Sequence, residues 1–134
     1  MSKESSSGVT RCVDVALILT LSTLPNVVYA HAGLVSSEPG RRAVLSTAPK
    51  QIRLCFNENV EAGFSKVLLE DAEGKPFSIP PPTRDSANPS CLLVPLPSLT
   101  NGSYKVRYKV LSVDGHVVEY GYSFRVQDAG AVDD

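Results

Sequence analysis

The stretch "SYKVRYKVLS", residues 103–112, constrains the fold more than any other part of this chain: Tyr104, Val106, Tyr108 and Val110 alternate with Lys105, Arg107 and Lys109. A period of two places the apolar set on one face of a strand and the cations on the other. Such a strand is stable only where a second layer covers its apolar face. Asn101-Gly102 supplies a turn before it. Asp114-Gly115 supplies hairpin chemistry over residues 110–118, leading into "HVVEYGYSFRVQ". Upstream, "HAGLVSSEPGRRAVL" reads as an extended opening with a turn at Pro39-Gly40, and "QIRLCF" and "CLLVPL" as strands. "KVLLEDAEGKPFSI" reads as two strands around an Asp-Ala-Glu-Gly turn. "NENVEAGFS" is expected as a loop, and so is "PPPTRDSANPS", since three successive prolines cannot serve a central ladder. No helical periodicity follows residue 30. The expected class is all-β, a Greek-key β-barrel or sandwich of about seven strands. With 134 residues, 43% of them hydrophobic, the chain suits one domain.

The first thirty residues differ in character. Lys3 and Arg11 precede the apolar run "VALILTLSTL", residues 15–24, which is too short to span a bilayer. Pro25 breaks the run, and Val28 and Ala30 stand where a signal peptidase reads small residues, although Glu4 and Asp14 offset the positive charge of the leader. The expected organisation is a signal peptide over 1–30, cleaved between Ala30 and His31, then a domain over 31–127 and a polar tail over 128–134. In the plainer reading, residues 1–30 are a tail and His31 is an ordinary internal residue. No later run reaches membrane-spanning length, so the processed chain is not expected to span a membrane. A net charge of −1 argues against nucleic acid as a partner.

Cleavage would remove Cys12 and leave Cys55 and Cys91. The alternation of "IRLCF" and "CLLVPL" turns both cysteines away from the side that carries Ile52, Leu54, Phe56, Leu92, Val94 and Leu96. A disulfide, two thiols and a soft metal site are all compatible with that placement.

The chain has two histidines, His31 and His116. As a new N-terminus, His31 offers an α-amine and an imidazole Nδ1 that close a chelate ring on one ion. His116 adds a second imidazole and Asp114 a carboxylate oxygen, on one face if the backbone between them is extended. Three nitrogens and one oxygen in a tetragonal set suit Cu(II), which also stands highest in the divalent affinity order. Binding would release protons from the amine and imidazoles. Each residue also has a plain reading: Asp114 is a turn former, and a lone hairpin histidine is usually a surface residue.

The segments "HAGLVSSEPG", "VLSTAPKQIRLCFNENVEAGFS" and "LPSLTNGSYKVRYKVLSVDGHVVEYGYSFRV" resemble the CopC-type periplasmic copper-binding proteins of bacterial copper-resistance systems. The resemblance covers residues 31 to 127. It implies a cupredoxin-like, immunoglobulin-like Greek-key fold and one Cu(II) per chain, held by His31, Asp114 and His116. It places Glu58, from the "F-x-E" segment, as an axial or outer-shell group. It also implies a monomeric, non-enzymatic periplasmic protein that captures, buffers and delivers copper, with a membrane transporter of the CopD type as recipient. Some members carry a methionine-rich Cu(I) loop, but the single methionine here is Met1, so Cu(II) is expected to be preferred over Cu(I). On this reading the histidines meet because the first strand and the late hairpin lie side by side. Two other classes compete: a copper oxygenase with an N-terminal histidine brace, disfavoured by the absence of tryptophan, and a metal-free immunoglobulin-like interaction module.

Overall fold

The computed structural model describes residues 32–128. These residues form eight strands: β1 Leu34–Glu38, β2 Val44–Leu45, β3 Gln51–Phe56, β4 Val60–Glu70, β5 Thr83–Arg84, β6 Cys91–Pro95, β7 Gly102–Ser112 and β8 Val117–Val126. They lie in two four-stranded sheets, ordered β1-β3-β6-β5 and β2-β8-β7-β4. The class is all-β, as the alternation requires, and the arrangement is a Greek-key sandwich. All pairings are antiparallel except β2 with β8.

The β7 alternation decides which face is buried. Tyr104, Val106, Tyr108 and Val110 point into the core and Lys105, Arg107 and Lys109 point out. Opposite them, Ile52, Leu54 and Phe56 of β3 and Leu92 and Val94 of β6 supply the other wall. Phe56 meets Tyr108 edge-on at 5.7 Å, and Tyr104 stacks on Phe124 at 5.4 Å. The Tyr104 hydroxyl donates to the Thr100 carbonyl at 2.6 Å, so its polar tip is satisfied while its ring is buried.

The loop expectations need correction. "NENVEAGFS" is a turn only over residues 57–59, because β4 begins at Val60. That strand contains a wide bulge: Glu61 pairs with Leu111 and Lys66 with Lys109, so four residues oppose one. Ser65 repairs the ladder inside it, its Oγ donating to the Glu61 carbonyl at 2.7 Å and accepting the Leu111 amide at 3.2 Å. A buried hydroxyl thus replaces two strand partners, and Phe64 is left 76% exposed on the projecting bulge. The second half of "KVLLEDAEGKPFSI" contributes one bridge, Glu70 to Pro76, where a full strand was expected. The turn itself forms, with Asp71 Oδ1 accepting the amides of Glu73 and Lys75. In the proline-rich segment, two residues pair as β5. Arg84 then reaches across to the Val60 carbonyl at 2.6 Å and ties the β5 edge of one sheet to the β4 edge of the other.

Cys55 and Cys91 sit directly opposite on β3 and β6, with Cα atoms 4.1 Å apart, and form a disulfide. They lie outside the core cluster, as the alternation places them, yet both are buried. The bridge closes a segment 36 residues apart in sequence. In the chain-entropy account, that loop stabilises the fold by about 3 to 4 kcal/mol. Replacing both cysteines by alanine is expected to lower the unfolding free energy by an amount on that order, read from urea titration with the single-domain transition retained.

Nearby, the Arg53 guanidinium lies 3.1 Å from Asp85. The Ala87 amide and then Arg53 hold the Asp85 carboxyl below its usual value of 3.8. A depressed folded-state value means stability that is present above the ordinary carboxylate range and lost as pH falls through the folded value. Asp85→Asn is therefore expected to flatten the loss of stability below about pH 4, measured as melting temperature against pH.

Candidate metal centre

The β7–β8 hairpin is built around a tight tip. Gly115 donates its amide to the Ser112 carbonyl at 3.0 Å and takes φ 90°, a left-handed conformation that favours glycine. The Ser112 amide bonds the His116 carbonyl at 2.9 Å and closes the hairpin. Asp114 and His116 therefore meet around a turn, and the extended backbone that would have put them on one face is absent. The result is tighter than an extended strand allows, with His116 Nδ1 3.0 Å from Asp114 Oδ2 and both side chains partly exposed.

Ser112 is the residue that sequence reading missed. It is 1% exposed, and its hydroxyl donates to Asp114 Oδ1, which also accepts the His116 amide at 3.2 Å. The Ser112 hydroxyl first, then His116, lower the Asp114 carboxyl to about 2. The signal was available: Ser112 occupies an inward slot of the "SYKVRYKVLS" alternation, where a polar side chain needs a partner.

Glu58 stands in the loop joining β3 to β4, and its Oε1 is buried with no hydrogen-bond partner among the described residues. A buried carboxylate oxygen left unpaired is costly unless a cation or donor reaches it. The flanking residues bind this loop on two sides. Asn57 accepts the Gly33 amide on Oδ1 at 2.8 Å and donates its own amide to the Gly33 carbonyl at 3.0 Å, while the Asn59 carbonyl accepts the Val113 amide at 3.1 Å. The loop is thus stitched to the start of the domain and to the hairpin tip. This corrects the expectation that the first strand lies beside the hairpin: β1 pairs with β3 in one sheet, and β7 and β8 belong to the other.

His31 lies outside the described residues; Ala32, which follows it, is fully buried in the core. Among the described residues no group of three or more His, Cys, Asp or Glu side chains converges as a metal cluster. The structure brings together Asp114 and His116 and leaves Glu58 as a neighbour on the adjoining loop. One imidazole nitrogen, one carboxylate and an orphaned carboxylate oxygen form an incomplete donor set of the N/O kind.

Residues 34–127 match the family model of the CopC domain. The chain belongs to the CopC family. Among its relatives, Protein YobA of Escherichia coli K12 is 38% identical over 111 residues, covering 82% of this chain and 90% of that one. Copper resistance protein C of Pseudomonas syringae pv. tomato is 31% identical, covering 73% of this chain and 82% of that one. Copper transport protein CutJ of Bacillus subtilis is 31% identical across 86% of this chain, which spans only 21% of that protein. Among solved structures, CopC from Methylosinus trichosporium OB3b superimposes with a TM-score of 0.71 at 32% identity, covering 77% of this chain and 100% of that one. The methionine-rich copper resistance protein PcoC of Escherichia coli gives 0.66 at 28% identity, covering 73% of this chain and all of that one. This CopC-family chain has no methionine after Met1.

The hydroxyl of Ser112 gives a testable handle on the tip. Ser112→Ala is expected to move the Asp114 carboxyl up from about 2 towards the ordinary range. The carboxyl-carbon shift of Asp114 followed by NMR against pH reports that change in the metal-free protein.

Proposed function

We propose that this chain is a non-enzymatic Cu(II)-binding protein that captures one copper ion outside the cytoplasmic membrane, buffers it and hands it to a membrane transporter of the CopD type. Its ligands are the α-amine and imidazole of His31, made terminal by removal of residues 1–30, together with His116 and Asp114. Glu58 acts from the axial side or from the outer shell. The observation that carries this reading is the hairpin tip, where His116 Nδ1 lies 3.0 Å from Asp114 Oδ2. That tip is tied through Asn59, and through Asn57 on the same loop, to the Gly33 end of the chain. Gly33, two residues after His31, and the hairpin that carries Asp114 and His116 are thereby anchored to one loop.

The donor chemistry supports the choice of ion. The Cys55–Cys91 disulfide withdraws both thiols of the described residues, and no methionine thioether follows Met1. The remaining donors are nitrogen and oxygen, which favour Cu(II) over Cu(I). The copper-resistance and copper-transport names of its relatives point to the same cargo. Asp114 Oδ2 lies 3.0 Å from His116 Nδ1 in the metal-free state, a contact that supports an imidazole positioned before copper arrives. Export and a monomeric state complete the proposal.

The test is a Cu(II) titration, by competition with a chelator of known affinity, of protein beginning at His31. One equivalent is expected to bind tightly. His116→Ala, and a form with one extra residue before His31, are each expected to lose affinity by at least about 100-fold, and Glu58→Gln by about 10-fold. Equal affinity in the native and extended forms would remove the terminal amine from the ligand set. Equal affinity in native and His116→Ala protein would overturn the site.

A further inference from the structure

The outward face of the β8-β7-β4 sheet does nothing for the core, yet its composition is strongly biased. Three successive rungs run across it: Lys66, Lys109 and Glu119; Leu68, Arg107 and Gly121; Glu70, Lys105 and Ser123. Arg125 lies beyond them, opposite Ser103. Five cations therefore stand against two carboxylates, in a chain whose net charge is −1. One of the two carboxylates, Glu70, is already taken by Arg107 at 3.7 Å. Lys66 and Lys109 are directly opposite each other on adjacent strands, and neither makes an ion pair with a described residue. Facing like charges destabilise a sheet, so the fold itself gains nothing from this pair. Lys66, Arg107 and Lys109, with Glu119 as the one carboxylate, line a shallow groove of about 250 Å³ that also includes Leu68. Opposite Arg107, Gly121 has no room for a side chain: a Cβ there would come within 2.9 Å of the Val106 carbonyl and 3.4 Å of the Arg107 side chain.

The metal-centre end of the same sheet carries exposed apolar side chains beside the carboxylates of Asp114 and Glu61. Phe64 projects from the β4 bulge at 76% exposure, between the rungs of Leu111 and Lys109. Val113 and Val117, which flank Asp114 and His116 in the hairpin tip, are also more than half exposed. An aromatic and two branched apolar side chains at one end, with a field of lysine and arginine behind them, are the two elements of peripheral attachment to an anionic lipid surface: shallow apolar insertion and attraction to headgroup phosphates.

We infer that this face docks onto an anionic phospholipid bilayer, with Lys66, Lys109, Arg107, Lys105 and Arg125 against the phosphates and Phe64, Val113 and Val117 at the acyl boundary. The charge and exposure of the face carry this on their own. Only its consequence, that docking brings the Asp114–His116 tip to the membrane surface where copper would be transferred, rests on the copper reading.

The eight described strands and the disulfide fall within residues 32–128, so protein lacking residues 1–30 keeps all of them and is free of the apolar run of residues 15–24 that would itself bind lipid. Metal-free protein of this form is mixed with vesicles of phosphatidylcholine, with or without a third of phosphatidylglycerol, and the bound fraction is read by flotation. Binding is expected to the anionic vesicles alone and to weaken as salt is raised. Lys66→Glu with Lys109→Glu is expected to lower partitioning at least about tenfold, and Phe64→Asp several-fold, while the Cu(II) titration of both variants stays unchanged. That unchanged titration separates loss of this face from loss of the fold or the metal centre. Equal binding to both vesicle types, or binding indifferent to the lysine reversals, would overturn the inference. Displacement by millimolar inorganic phosphate at constant ionic strength would overturn it in favour of a small-anion site. Absence of vesicle binding, with salt-sensitive retention on immobilised polyglutamate, would overturn it in favour of an acidic protein partner.

Discussion

Burial of one face of β7 against β3 and β6 is the constraint on which the other features of this molecule rest. Tyr104, Val106, Tyr108 and Val110 are removed from water only because Ile52, Leu54, Phe56, Leu92 and Val94 stand opposite. The remaining strands are placed by the need to flank one wall or the other. β2 lies along β8, and β5 lies along β6, while Arg84 links the two sheets at one edge. Because the strand period is two, fixing the inward face of β7 also fixes a row of cations on the outside. The same register carries the chain to Ser112, whose buried hydroxyl then organises the hairpin tip. Core, charged surface and candidate site are in this sense successive rungs of one ladder.

The candidate centre shows how a short polar loop joins regions that the sheets keep apart. β1 and the β7–β8 hairpin belong to different layers, and no strand pairing brings them together. Asn57 and Asn59 do so through backbone and side-chain hydrogen bonds on the two sides of Glu58. The glutamate between them is left with a buried oxygen that has no hydrogen-bond partner among the described residues. A fold that gained stability alone would place an apolar or amide residue there.

Much of the fold was legible in the sequence because two-residue periodicity and turn residues are local signals. The inward and outward residues of β3, β6 and β7, the Asp71–Gly74 turn and the Asp114-Gly115 hairpin all follow from them. What local signals misjudged was the start of β4. "NENVEAGFS" carries an asparagine pair, a glycine and no clean alternation, since its bulge interrupts the period and Ser65 fills the gap in a way that depends on Leu111 of another strand. The bridge at Pro76 fell short of a strand because Lys75-Pro76 leaves little backbone to pair.

For the site, the residue types came from the sequence and their relations came from the fold. Two histidines and an aspartate two positions before one of them were readable as donors, since their chemistry is intrinsic to the side chains, whereas the carboxylate of the "F-x-E" segment came in only through the family resemblance. Two cysteines on strand faces outside the core were equally readable, but their bond was not. Only the register of β3 against β6 sets Cys55 opposite Cys91. The same holds for the hairpin tip: sequence placed Asp114 and His116 near one another, whereas the left-handed turn at Gly115 and the buried Ser112 hydroxyl brought nitrogen to within 3.0 Å of oxygen. The sequence by itself determined which faces are apolar and which atoms can donate, because both are properties of residues and their spacing. The tertiary structure decided which of those atoms meet, because long-range register and loop closure depend on contacts between segments that spacing alone cannot relate.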